Sequence, residues 1–436
     1  PPTPSSAPRR ADPAWGQTRN VTWHVWGLTP DVMSGPRGRH AHAYRWRMAT
    51  TESARSQIIR RLRSTIEHVE HDTFPQVDEH MIVPVTHYTA PERWQREVDL
   101  IFKKVPLMLG FSVEIPAPGD YKAMAVCGVK LIITRNRENA VKAHVNMCSH
   151  RGAQLVDEGA GSTRRFACPY HNWNYDSDGA LVGVTNRSDF GEIDDVDCLA
   201  LTSLPVAERC GLIWVTLDPG STVDQAAAVD AHLGDYAQML DHFDFGSWYH
   251  LGNQQIPGPN WKLAYDGYLD FYHIPFLHRD TFGPDFSSRP IYDSWGPHTR
   301  MTAWHESVLK FRDVADDDLP LAEFDGGVWT IFPHVSIAGF PVGERGLMVS
   351  QLFPGDSPDT SVTIQNFLTL TEPDDELREL AKKTAAFYDH VVRDEDYFTG
   401  IRIGENIASG AKSEFLLGRN EGGNQHFHRT VNAIVD

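Results

Sequence analysis

The sequence predicts an α+β chain in which a small all-β module precedes a region of mixed strands and helices. Three observations carry this. Between about 110 and 217, short apolar runs alternate with turn signals, the texture of many short strands. Beyond 245, longer strand-like segments are mixed with helical ones, and from about Asp374 to Ile407 the pattern is helical. At 436 residues the chain also exceeds what one hydrophobic core usually organises, so more than one domain is expected. Strands first, then strands with helices, is the order of an α+β architecture rather than of repeating β-α units.

Residues 1–50 show no sustained period, with Trp15, Trp23, Trp26 and Trp46 scattered among Pro, Gly and basic residues as in a loop-rich arm. Arg9 and Arg10 are adjacent, but no apolar run follows them, so an export signal is not expected. Next, Ile58, Ile59, Leu62, Ile66 and Val69 recur at helical spacing between Arg60, Arg61, Arg63 and Glu67. Such an amphipathic helix needs a surface to cover, and its basic side is expected to face solvent or another subunit. The β module reads as strands at Ala123–Val126, Lys130–Thr134, Val141–Val145 and Leu212–Leu217, punctuated by Pro118-Gly119 and Asp178-Gly179. Residues 222–245 read as helical or loop linkers. Gly327–Phe332, Leu347–Phe353 and Ser361–Thr371 then read as longer strands.

Apolar residues make up 41% of the chain and aromatic ones 11%, enough for a substantial core. Lys and Arg total 40 against 58 Asp and Glu, a formal charge of -18, which argues against nucleic acid as a partner. No apolar run is long enough to cross a bilayer, so no membrane association is expected. Five cysteines without a scaffold-like spacing point to a reducing compartment, and the cytoplasm is the expected location.

Four residues carry the first chemistry. Cys148-Ser149-His150 and Cys168-Pro169-Tyr170-His171 form C-x-H, seventeen intervening residues, then C-x-x-H. Each short loop offers one thiolate and one imidazole. A [2Fe–2S] cluster uses that division, with both cysteines on one iron and both histidines on the other, which raises its potential above that of an all-cysteine cluster. Structural zinc fits less well, because its fingers place both cysteines before both histidines.

A second cluster of ligands lies at 260–278, where His273 and His278 are five apart and Asp270 is three before the first. Two histidines and a carboxylate suit non-haem Fe(II) with open positions for O₂ and substrate. Pro275 between the histidines removes a backbone donor and permits the distortion that lets both rings reach one metal. A further acid is available in Arg393-Asp394-Glu395-Asp396, where helical periodicity leaves Asp394 and Asp396 both open. His426 and His428, and His40 and His42, form H-x-H pairs for which structural roles are expected. No Gly-rich nucleotide loop or flavin fingerprint is visible.

Asn146-Met147-Cys148-Ser149-His150-Arg151-Gly152, Cys168-Pro169-Tyr170-His171-Asn172-Trp173 and the N-W-K…D-x-x-H-x-x-x-x-H pattern of 260–278 resemble the large (α) subunits of aromatic-ring-hydroxylating Rieske non-haem iron oxygenases. The likeness spans roughly 85–436. The cysteines that form a disulfide in respiratory Rieske proteins would fall at Ala153 and Tyr170, so the resemblance is to the oxygenase type. It implies an N-terminal extension (1–85), a Rieske [2Fe–2S] domain (86–220) and a catalytic domain (221–436) of helix-grip form, an antiparallel sheet around a long helix. It implies cluster ligands Cys148, His150, Cys168 and His171, iron ligands His273 and His278, and Asp396 favoured over Asp394 as the third. Asp270 would then bridge His273 and the cluster ligand His171 of a neighbouring subunit, with Lys262 and Asp266 at supporting positions. The implied assembly is a homotrimer or larger ring, with or without a β subunit, fed by a ferredoxin or reductase. The implied reaction is cis-dihydroxylation of an apolar, aromatic substrate with O₂; the alternatives are monooxygenation or demethylation, or simple electron transfer. Phe271, Phe276, Leu277, Trp329, Phe332 and Phe340 are the expected pocket lining, with Arg279 the nearest charged anchor.

Overall fold

In the computed structural model, which describes residues 52–191, 199–303, 305–320 and 326–436, the stripe of Ile58, Leu62, Ile66 and Val69 lies on one helix, Glu52–Glu70, and is buried. The four N-terminal tryptophans, the His40/His42 pair and Cys198 lie outside the described residues. The surface that this helix covers belongs to its own chain, because its apolar side chains share a core with Tyr236, Leu240, Trp295 and Phe311. Its basic side corrects the sequence expectation in part. Arg60 is exposed, but Arg61 pairs with Asp293 and lies over the Trp295 ring, while Arg63 donates to the carbonyls of Phe311 and Arg312 and to the Asp316 carboxylate. These guanidinium groups tether the helix to this chain's own surface.

The β module consists of three small antiparallel sheets. Five strands run in the spatial order Ser203–Leu204, Val141–Val145, Val129–Arg135, Asp120–Val126 and Gly159–Ser162. A three-stranded sheet joins Val206–Arg209, Leu212–Val215 and Leu107–Phe111, and a smaller one joins Phe166–Ala167, Asn174–Tyr175 and Leu181–Gly183. A compact core of Ile132, Leu155, Phe166, Trp173 and Tyr175 encloses Cys148 and Cys168. The two cysteines are thus anchored from inside, while the loops that carry them reach the surface.

The second half is built on a seven-stranded antiparallel sheet. Its strands lie in the order Tyr249–Gly258, Ser361–Thr369, Gly346–Pro354, Val335–Gly339, Val328–Ile331, His298–Ala303 and Pro290–Trp295. Its two faces are covered differently. On one, Leu347, Val349, Leu368 and Trp329 pack with the helix Glu52–Glu70 and with Gln225–Leu233 and Tyr236–Asp241, the helices found in the 222–245 segment. On the other, Met348, Phe367 and Ala338 pack against Ala381, Ala385 and Tyr388 of the helix Asp375–His390. The short helix Trp261–Leu269 and the C-terminal helix Gly422–Val435 cover the rest of that face through Trp261, Tyr265 and Phe427.

Asn260 starts the helix Trp261–Leu269 by accepting from the amides of Lys262 and Leu263, and Asp374 starts Asp375–His390 by accepting from that of Leu377. The long C-terminal helical stretch is not uniform. Asp375–His390 passes into a π-helical segment, Val391–Tyr397, before α-helix resumes at Phe398–Ile407. Such bulges re-aim side chains and often mark functional sites. Among the described residues, no helix is long and apolar enough to cross a membrane.

Candidate metal centres

Two matching loops build the first centre. In one, the Gly152 amide donates to the Cys148 carbonyl and Gly152 adopts φ +76°, a conformation that favours glycine. In the other, the Asn172 amide donates to the Cys168 carbonyl and Asn172 adopts φ +55°. Each loop turns back directly after its cysteine and so carries its histidine to the same place. The His150 and His171 ring centroids are 4.7 Å apart, and His150 stacks on Trp173 at 4.7 Å and 10°. Tyr170 leans on His171, and Arg151 lies over Tyr170.

The chemistry of this cradle fits a [2Fe–2S] cluster. The Nδ1 atoms of His150 and His171 are both buried without a hydrogen-bond partner, a costly state that two metal bonds would relieve. Burial pushes the Cys148 thiol up, and the neighbouring Cys168 sulfur adds to the shift. Two crowded, desolvated thiols are what a shared metal would turn into ligated thiolates. Tyr175 contributes a hydroxyl 3.2 Å from Cys148 Sγ and 3.0 Å from the Ser149 amide. Hydrogen bonding to a ligand sulfur is one of the means by which proteins tune cluster potential.

The second centre lies where the helix Trp261–Leu269 ends and the π-helical segment passes. His273 and His278 flank the single turn Ile274–Leu277, which Pro275 opens, and His278 leaves helical geometry at φ −97°, ψ 23°. That departure lets residues five apart aim their rings together, with centroids 5.1 Å apart. Asp396 Oδ1 is 3.0 Å from His278 Nε2 and 3.6 Å from His273 Nε2, and one ligand atom from each residue lies within 4.8 Å of the other two. The remaining ring nitrogens are also engaged. His273 Nδ1 is 3.2 Å from Asp270 Oδ2, and His278 Nδ1 is 2.5 Å from Glu395 Oε2. Each carboxylate that accepts at Nδ1 leaves Nε2 with its lone pair towards the shared centre. Burial disfavours the His278 imidazolium, yet Asp396 and Glu395 outweigh it and raise its pKa above the ordinary value. A site that attracts positive charge this strongly, with two imidazoles and one carboxylate, fits Fe(II).

Of the two acids left open by periodicity, Asp394 is exposed and bonds His390 at 2.7 Å, whereas Asp396 faces the histidines. Glu395 was not singled out from the sequence, although it stands within the acidic run; it also accepts from the Thr281 hydroxyl. Asp266 reaches neither histidine, but accepts from Tyr88, His428 and Asn424, while Lys262 is buried against Glu97. His426 bonds the Gly296 carbonyl, so the H-x-H pair is structural. The expected pocket lining is corrected at two positions. Phe276 is 68% exposed, and Trp329 packs on the opposite face of the sheet.

An electron-storing cradle in a β module, together with a separate two-histidine, one-carboxylate centre under a sheet, defines the class of two-centre iron oxygenases. Comparison with known proteins gives the family. Residues 106–200 match the Rieske [2Fe-2S] domain, and residues 245–436 match the ring hydroxylating alpha subunit (catalytic domain). The carnitine monooxygenase oxygenase subunit of Escherichia coli (strain K12) is 26% identical over 367 residues, 80% of this chain and 92% of that one. The large oxygenase component of the 2,4-dinitrotoluene dioxygenase system of Burkholderia sp. (strain RASC) is 32% identical over 202 residues, 44% and 43% of the two chains. The crystal structure of a quaternary ammonium Rieske monooxygenase superposes with a TM-score of 0.68 at 21% identity, covering 81% of this chain and 95% of that one. The chain belongs to the Rieske oxygenases as a large subunit, the terminal oxygenase component, with a [2Fe–2S] cluster and a mononuclear iron as cofactors.

Proposed function

We propose that this chain inserts one atom of O₂ into a small organic substrate, with His273, His278 and Asp396 holding the iron and Cys148, His150, Cys168 and His171 holding the cluster. The observation that carries the reading is the convergence of three ligand atoms within 4.8 Å. When bound, the iron supplies open coordination positions and the redox chemistry that O₂ needs. The chain's own residues do the rest. Asp270 and Glu395 fix the tautomers of His273 and His278, and Asp396 supplies the negative charge that a divalent cation requires. Asp270 also accepts from the Tyr272 amide, which pins its carboxylate at the protein surface. In the proposed assembly, a ring of this chain, Asp270 bridges His273 and a second copy's His171. A ferredoxin or reductase supplies the electrons, since the sequence has no nucleotide or flavin fingerprint of its own.

Monooxygenation is favoured because the carnitine monooxygenase subunits match over four fifths of the chain, whereas the dinitrotoluene dioxygenase component matches over 44%. The second reading, cis-dihydroxylation of an aromatic, draws support from the higher identity of that shorter match. Product formed under ¹⁸O₂ separates them: one labelled oxygen is expected, and two would replace monooxygenation by dihydroxylation. The wider reading predicts three irons per chain and O₂ uptake that depends on substrate. Two irons and no uptake would reduce the protein to an electron carrier.

A further inference from the structure

Asp270 stands at the exit of the helix Trp261–Leu269, where the backbone turns extended at φ −118°, ψ 110°. Its carboxylate reaches His273 on one side and, in the proposed ring, a second copy's His171 on the other. The place of that carboxylate is therefore set by the last turn of the helix, Asp266 to Leu269. Two elements far away in sequence clamp this turn.

Tyr88 grips the helix at both ends. At the helix start its carbonyl accepts from the Asn260 side-chain amide at 2.9 Å, and one turn before Asp270 its hydroxyl donates to Asp266 Oδ2 at 3.0 Å. The C-terminal helix Gly422–Val435 holds the same turn. His428 Nε2 lies 3.0 Å from Asp266 Oδ1, and the Asn424 side-chain amide donates to the Asp266 carbonyl at 3.0 Å and to Oδ1 at 3.3 Å. An ionised carboxylate only accepts, so His428 carries its proton on Nε2. The two helices also approach closely: a Cβ added to Gly423 would stand 3.2 Å from the Leu269 carbonyl oxygen. Tyr88, Asn424 and His428 are 3%, 2% and 1% exposed, so little water competes for these bonds.

Stability alone does not ask for this network, since apolar packing of similar volume often serves as well as a buried charged pair. What the hydrogen bonds add is direction. We infer that Tyr88, Asn424 and His428 position Asp270 for electron transfer, acting through Asp266 and the last turn of its helix. This rests on the proposed bridging by Asp270. Such a bridge must meet two imidazoles at hydrogen-bond distance at once, and a displacement of about 1 Å can cost about 100-fold in rate.

The test follows one electron within the assembled full chain, loaded with both metals and with the mononuclear iron ferric. Flash photoreduction of the cluster starts the transfer: the reduced cluster loses one electron, the ferric iron gains it, and the cluster's visible absorbance times the step. No substrate is needed. Tyr88→Phe and His428→Phe each remove one donor and should slow the transfer at least several-fold, with iron content and cluster spectrum unchanged. His428→Gln keeps an N–H donor and should recover most of the parental rate; a Gln variant as slow as the Phe variant would overturn the inference. Hydrogen exchange gives a readout apart from electron flow. The Tyr272 amide, which donates to Asp270 Oδ1, should lose protection in the two slow variants. Asp270→Asn in the same assay separates the two readings. Slow transfer there, with parental rates in Tyr88→Phe and His428→Phe, would sink the positioning role alone. A parental rate in Asp270→Asn would remove the bridge and the positioning role with it. Loss of iron or cluster from both donor variants would make the network part of metal assembly and overturn the inference as well.

Discussion

His278 is held at both ring nitrogens by neighbouring residues of one helical segment, Glu395 at Nδ1 and Asp396 at Nε2. The two acids should therefore fail differently. Asp396→Ala removes a proposed ligand, and should lose the mononuclear iron while keeping the cluster spectrum. Asp394→Ala, which removes the bond to the exposed His390, should retain iron near the parental level. Iron lost from the Asp394 variant and kept by the Asp396 variant would reverse the assignment. Glu395→Gln keeps the shape but exchanges the acceptor charge for an amide, and a cost of about 10–100-fold in iron affinity is expected. Competition with a chelator measures it, and an unchanged affinity would leave Glu395 no role in orienting the ring. Asp270→Asn should preserve both metal centres yet nearly abolish turnover; near-normal turnover would refute its bridging role. The run Asp394-Glu395-Asp396 made an acidic ligand legible in the sequence. Which acid turns inward depends on the π-helical segment, whose altered pitch an ideal helical period does not describe.

At the scale of elements, the short strands and the amphipathic N-terminal helix were legible because each repeats its local period several times. What that helix covers was not legible, since a stripe of Ile58, Leu62, Ile66 and Val69 fits any apolar surface. The structure shows it on the core that backs the catalytic sheet, with Arg61 and Arg63 as tethers. Leu62 is 5% exposed, so Leu62→Ala should cost about 2–5 kcal/mol, read from urea unfolding of the metal-loaded chain. A loss below about 0.5 kcal/mol would show the helix to be a dispensable attachment. Strand alternation likewise tells which residues share a face of the catalytic sheet but not what lies opposite them: Gln254, Gln365, Ser350, Ser336, Thr330 and Thr299 are successive partners across it.

For the whole molecule, acid stability follows from two histidines buried neutral, His334 where the β module meets the catalytic sheet and His232 against that sheet. His334 bonds the Met108 carbonyl and His232 that of Phe332, and burial lowers each from the ordinary 6.5 to about 4. A group whose folded pKa is depressed binds fewer protons folded than unfolded. Its contribution is therefore complete above about pH 6.5 and is lost as pH falls towards about 4, at about 1.4 kcal/mol per pH unit for each. The urea midpoint should fall between about pH 7 and about pH 5, and His334→Gln should flatten that slope. A midpoint independent of pH in that window would mean that these rings are protonated in the fold.

By itself the sequence determined the chemistry that depends on residue type and short spacing: two thiolates and two imidazoles in paired loops, and two histidines five apart beside an acid. It also determined the α+β order of the elements, because strand and turn signals are local. Only the tertiary structure decided which carboxylate faces the histidines and that Glu395 completes the hold on His278. Those features bring together residues more than a hundred positions apart, and such contacts are set by packing rather than by any local period.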